Sequence, residues 1–379
     1  MKPLIDLINE AYAGVKGDLP YASVESFITN DNKSAEFIRS ILHDNEFEKK
    51  KKNSNLYALA KTRARHSAIT FLIGLIFFKY LDFEEMILNS SYVQKYSGHS
   101  AAIRLWMITA LYHDCGYFLE DIGNPEINYK SKVKYYLLDD SYMRDELKIL
   151  EQFSIYYRDV LAYTYDEIEN YDTCSRQWRK DLAERVDHGI LGGIHTFDQL
   201  IKRALKNEMP INRNELLAIK ACCLTIAQHN IFKSESKERD AEYGSSLKKL
   251  HSTSEFVINS STPLLLMLSL VDTFECVKKL SKSENMAHSL ETLTVLSNIS
   301  LFVSDEELII DFSKLDQRVN GKDDVQLKTT YSKYKENLLK LKNWTSFIVN
   351  YSDNEAIKIK VDSSKVLNNC NVRVVSETQ

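Results

Sequence analysis

MITALYHDCG, residues 107–116, is an apolar run that stops on an imidazole, a carboxylate and a glycine. With the preceding SAAIRLW it makes a helix over residues 100–113 with almost no polar surface, so it must be buried. Gly116 is a natural helix end. His113 and Asp114 are adjacent, and neighbouring side chains on a helix point about 100° apart. Both can reach one point only where the helix frays. A His-Asp pair proves little alone, and the second one, His43-Asp44 in ILHDNEF, sits in a polar context and reads as incidental.

Other apolar helices are interrupted in the same way. In PLLLMLSLVDTFECV, Asp272 follows nine residues of which only Ser269 is polar. A carboxylate there is costly unless a cation or donors balance it, so it is either a ligand, a surface residue or one half of an ion pair. In KTRARHSAITFLIG, His66 marks the polar-to-apolar transition of a helix expected over 54–85, with Leu56, Leu59, Leu72, Ile76 and Leu81 on its apolar face. In RVDHGILGGIHTF, His188 opens a helix beside Gly189, Gly192 and Gly193, and His195 lies two turns on. In CLTIAQHNIF, His229 ends an apolar helix. Each histidine taken singly is more often a packed core residue than a ligand. Imidazole and carboxylate together suit a hard to borderline divalent ion.

The ordered series His66, His113-Asp114, His188, His229 and Asp272, with RxxH before an apolar helix, HDCGYF, DHGILGG and LLLMLSLVDTFE, resembles the HD superfamily of metal-dependent phosphohydrolases. The resemblance covers residues 55–285. It implies an HD-type helical bundle and one or two divalent ions (Mn, Fe, Zn, Mg or Ni). It also implies that His66, His113, Asp114 and Asp272 hold one ion, and that Asp114 bridges to a second held by His188 and His229. A metal-bound water would be the nucleophile. The substrate would be a phosphate ester, a nucleotide being the foremost class. The sequence departs from the family at Tyr117, where many members carry Lys or His after the glycine, and it lacks the H-D-x-G-H-x-P-F word of dNTP triphosphohydrolases.

Phosphate needs cationic partners beyond the metals. Arg63, one turn before His66, lies closest to its face, with Lys61 further back and Arg65 pointing elsewhere. Lys233, Lys237 and Arg239 lie in a polar stretch over 233–260 long enough to be a binding loop. Asp114, Glu120 and Arg63 are the expected catalytic residues. Glu120 and Asp121 are candidates for general acid or a supporting base.

Around this core, composition sets the class. Glycine (11) and proline (5) are scarce in 379 residues, which favours long helices. The net charge of −4 argues against dedicated nucleic-acid binding or a polybasic membrane surface. The longest uncharged apolar run, Ser67 to Phe78, is shorter than the roughly 18–20 residues of a membrane span. The N-terminus has no signal-peptide core. None of the six cysteines forms a C-x-x-C pair, and most sit among apolar residues as reduced thiols. A cytoplasmic protein is expected. The expected organisation is a helical extension over 1–53, the main domain over 54–288 and a small α+β appendage over 289–379. In the appendage, SLFVSDEELIIDF reads as a hairpin turning at Ser304-Asp305-Glu306, residues 325–342 as a helix, and SFIVNYSDNEAIKIKV as a second hairpin around Ser352-Asp353-Asn354.

Two further readings compete with the hydrolase. One is a metal- or nucleotide-binding regulatory module with little or no turnover. The other is a structural helical protein with scattered core histidines, which would bind no metal.

Overall fold

Every residue from Ala64 to Phe78 is buried. They belong to α4 (Ser54–Tyr80), which is therefore enclosed on all sides rather than presenting one apolar face to a core. This is seen in a computed structural model. It describes residues 1–15, 23–29, 31–42, 54–81, 83–89, 99–118, 188–189, 192–193, 196, 200, 218–219, 221–223, 225–226, 229, 263–281, 290–304, 307–339, 341, 348–353 and 356–362. Elements are numbered among these.

Other helices pack around α4. Helices α1 (Leu4–Val15), α2 (Glu25–Ile28) and α3 (Asp31–Leu42) cover one side. After Tyr80 the chain breaks and restarts as α5 (Phe83–Asn89), so the helix expected to continue to residue 85 is two. Helix α6 (His99–Tyr112) packs close to α4, because Gly74 has no side chain and the Trp106 ring takes the place a Cβ would fill. The Trp106 indole N–H donates to the Phe71 carbonyl at 3.0 Å. Helix α7 (Pro263–Phe274) is buried from Pro263 through Val271. Proline at the first helical position costs no hydrogen bond, since that N–H has no intrahelical acceptor.

The helix expected to run from 263 to about 280 is also two. After α7, Glu275 turns its side chain inward, and the chain resumes as α8 (Val277–Leu280). The Glu275 carboxylate accepts the Lys278 backbone N–H at 3.2 Å, which pins the start of α8.

Helix α9 (Thr292–Ser297) leads into an antiparallel sheet of β2 (Ser300–Val303), β3 (Glu307–Asp311), β4 (Ile348–Asp353) and β5 (Ala356–Asp362). Both expected hairpins are present. The second turns later than expected, since β4 runs through Asp353, which pairs with Ala356. Helices α10 (Ser313–Asn320) and α11 (Val325–Leu339) lie between the hairpins in sequence. At the sheet edge, β1 (Lys2–Pro3) pairs with β2, giving the order β1-β2-β3-β5-β4. The N-terminus is thus tied to the C-terminal sheet.

Polar contacts of Tyr334 and Arg65 help fasten this unit to the helices. The Tyr334 hydroxyl donates to the Phe274 carbonyl at the end of α7, at 2.8 Å. Arg65, turned away from His66, pairs with Asp31 at 3.1 Å and donates to the Ser281 carbonyl at 2.7 Å and the Thr292 hydroxyl at 3.1 Å. Among the described residues, no helix is long and apolar enough to cross a membrane. Cys115, Cys222, Cys223 and Cys276 are buried without disulfides. Burial pushes the Cys222 thiol up to about 12, so it is no nucleophile.

Candidate metal centre

Helix α6 ends at Tyr112, and the chain turns through His113 and Asp114 into a 3-10 turn, Cys115–Phe118. Because the helix has already stopped, these neighbours escape the 100° divergence and face one point. The His188 segment lies directly against this turn. A Cβ on Gly116 would overlap the His188 carbonyl, so only glycine admits the approach.

Six side chains meet there. His66 Nε2 lies 2.9 Å from Asp272 Oδ1, 3.1 Å from His113 Nε2 and 3.4 Å from Asp114 Oδ2. His113 Nε2 is 3.5 Å from Asp114 Oδ1 and 3.8 Å from Asp272 Oδ1. From the other side, His188 Nε2 and His229 Nε2 are 3.6 and 3.7 Å from Asp114 Oδ1. The side chains of His66, His113, Asp114 and His229 are 0–1% exposed. The structure therefore brings together all six residues expected as ligands. They form two buried groups that could hold a metal ion, His66/His113/Asp114 and Asp114/His188/His229, with Asp114 common to both. Asp272 adjoins the first.

The outward nitrogens show what the inward ones can do. His66 Nδ1–H donates to Glu275 Oε2 at 2.5 Å. His113 Nδ1–H donates to the Ala110 carbonyl at 2.7 Å, and His229 Nδ1–H to the Ile226 carbonyl at 2.6 Å. Each bond fixes the tautomer, so the Nε2 atoms face the centre as bare lone pairs. Two such lone pairs lie 3.1 Å apart beside a carboxylate oxygen, and the donor near them is the Lys278 ammonium, 3.3 Å from His66 Nε2. A cation relieves that arrangement, and imidazole with carboxylate is a donor set that fits first-row divalent ions.

The electrostatics agree. Burial lowers the His66 pKa, helped by the Lys278 charge and opposed by Glu275. Burial also holds His113 and His188 well below the usual histidine range. These imidazoles are neutral at neutral pH, as ligands must be. Burial alone would raise Asp114, but Lys278 and the surrounding imidazoles outweigh it and hold the carboxyl well below its usual value. Glu275 is likewise raised by burial, but His66 and Lys278 together outweigh it and lower its pKa.

Four neighbours complete the site: Arg63, Tyr117, Glu275 and Lys278. Arg63 Nη1 is 3.3 Å from Asp114 Oδ2, in the expected place. Its guanidinium lies 3.8 Å from the centroid of the Tyr117 ring, which stacks on His188 at 3.5 Å. Tyr117 thus packs between the Arg63 guanidinium and a candidate ligand. Glu275 and Lys278 were not anticipated. The signal was the spacing Asp272-x-x-Glu275-x-x-Lys278, which sets three charged groups on one side of an apolar segment. Lys61 lies on α4, its side chain outside the described residues. Glu120, Lys233, Lys237, Arg239 and His195 also lie outside them. No family model, no curated protein and no solved structure matches this chain.

Proposed function

We propose that this chain is a metal-dependent phosphohydrolase or phosphodiesterase with an HD-type helical bundle. In this reading it cleaves a phosphate ester, with nucleotides the first class to test. One observation carries it: four imidazole nitrogens and two carboxylates converge on one point from five separate stretches of chain, with the tautomers of three histidines fixed so that lone pairs face inward. A structural protein gains nothing from burying such a set, since each unpaired polar group costs free energy.

His66, His113, Asp114 and Asp272 would hold one ion, and Asp114, His188 and His229 a second. When bound, such ions supply Lewis acidity toward phosphoryl oxygens and acidify the attacking water. Glu275 keeps His66 in the ligating tautomer. Arg63, beside Asp114 Oδ2 and supported by Tyr117, meets the phosphoryl charge. Overall, a water oxygen bonds to phosphorus, the ester P–O bond breaks, and the alcohol leaves carrying a proton.

The test is metal content and turnover together. The protein loaded with Mn²⁺, Fe²⁺, Zn²⁺, Mg²⁺ or Ni²⁺ is assayed on bis-p-nitrophenyl phosphate and on nucleotides, cyclic dinucleotides and dNTPs. We expect one or two ions per chain, and Asp114→Ala to lose at least about a thousandfold in activity along with bound metal. Full activity in Asp114→Ala refutes the mechanism. Bound metal with no turnover across the panel favours a regulatory binding module.

A further inference from the structure

One cation at the centre has no role in the reading above. Lys278 Nζ lies 3.3 Å from His66 Nε2, 3.4 Å from Asp114 Oδ2 and 3.9 Å from Asp272 Oδ1. We propose that Lys278 is a substrate-contacting residue whose ammonium binds the phosphoryl group of the ester cleaved at Asp114. The proposal rests on the phosphohydrolase reading and assigns a second cationic arm to it.

Placement is the first argument. Lys278 stands at the start of α8, where its backbone N–H is held by Glu275, the same carboxylate that orients His66. One residue therefore sets both a ligand and the lysine. The orientation is specific to this position. The next residue, Lys279, points instead toward the Tyr334 ring, 5.8 Å from its centroid.

Access is the second. The candidate ligands are sealed, whereas the side chains of Lys278 and Arg63 are 27% and 25% exposed. These two cations approach the same oxygen, Asp114 Oδ2, at 3.4 and 3.3 Å. They are the partly open members of the cluster, so an incoming ligand meets them first.

Charge is the third. The anions near Lys278 are the carboxylates of Asp114, Asp272 and Glu275, and a divalent ion would also engage the first two. Asp114, Asp272 and Glu275 are offset by Arg63 and Lys278 before any ion enters, and a divalent ion makes the centre net positive. Once the ion draws on those carboxylates, a further anion between it and the ammonium relieves their repulsion. A phosphoryl oxygen is an anion of that kind. Lysine suits the task as a mobile point charge, complementing the planar fork of Arg63.

The experiment compares the full-length chain with Lys278→Met and Lys278→Arg. Calorimetry measures Mn²⁺ affinity first, then inorganic phosphate affinity of the Mn²⁺-loaded protein, and a thermal melt accompanies each. We expect Lys278→Met to bind Mn²⁺ at least as tightly as the native chain, since a repelling charge is gone. Its phosphate affinity falls about tenfold to a hundredfold, and Lys278→Arg recovers most of it. Unchanged phosphate affinity in Lys278→Met overturns the proposal. So does loss of Mn²⁺ binding together with a lowered melting temperature, which marks a structural lysine. A native chain that binds no Mn²⁺ and cleaves no ester defeats the phosphohydrolase reading itself. A native chain that does both while Lys278→Met matches it defeats only the role of the lysine.

Discussion

Around Asp114, titratable groups are buried: four histidines, two aspartates and Glu275 face one another among apolar helices. In the C-terminal sheet, charges on β3 and β5 stand in partly exposed opposite-sign pairs, Lys358 with Asp311 at 4.0 Å and Lys360 with Glu307. Its interior is Leu308, Ile310, Ile357, Ile359 and Val361. Pairs open to solvent contribute about 0–1 kcal/mol. Burying ionised groups costs several kcal/mol each unless they are compensated. The sheet unit is thus arranged as stability alone would arrange it, and the helical centre is not. Sites that depart from the rules of stability are where function is expected.

If that contrast is sound, damage to the sheet should cost stability and leave the chemistry in place. Ile359 is fully buried on β5, opposite Ile310 on β3. Ile359→Ala should lower unfolding free energy by about 2–5 kcal/mol, read by urea denaturation, while the folded protein binds the same number of metal ions. Loss of metal in the folded variant would show that the two regions are coupled.

The converse test removes a charge at the centre. Glu275→Gln keeps the size but weakens the hold on His66 Nδ1–H. Metal affinity should fall about tenfold to a hundredfold, as for other partners that orient ligating histidines. Calorimetry would measure it. An unchanged affinity would mean that the 2.5 Å contact does not set the His66 tautomer.

The gentlest test is pH. His66, His113 and His188 have folded-state pKa values lowered by burial, below the unfolded value near 6.5. Asp114 and Glu275 are lowered too. Lowered folded pKa values mean that the unfolded chain binds more protons as pH falls, so stability is present above about 6.5 and lost on acidification. The metal-free protein should melt several degrees lower at pH 5 than at pH 7, by roughly 4–8 °C per kcal/mol in a small domain and less in a chain this long. Metal binding should weaken over the same range, because protons compete for the imidazoles. A flat melting profile would contradict the neutral, buried state assigned to these histidines.

Much of this was legible in the sequence for a local reason. Both hairpins were readable because their pairing joins segments close in the chain, across turns rich in Ser, Asp and Asn. The six candidate ligands were readable because each is a polar residue beside or within an apolar helix. Arg63 was readable from its one-turn spacing to His66. Helix breaks at Tyr80 and Glu275 were not readable, since neither carries glycine or proline. The second depends on a side chain turned inward to His66, more than two hundred residues earlier in the chain.

By itself, then, the sequence determined which segments are helices or strands and which polar residues are embarrassed by their surroundings, because periodicity and local polarity are properties of neighbours. Only the tertiary structure decided that α4 is enclosed on every side, that Lys2–Pro3 joins the C-terminal sheet, and that Glu275 and Lys278 belong to the centre. Those facts depend on contacts between remote segments, whose free energy exists only once the chain has closed around them.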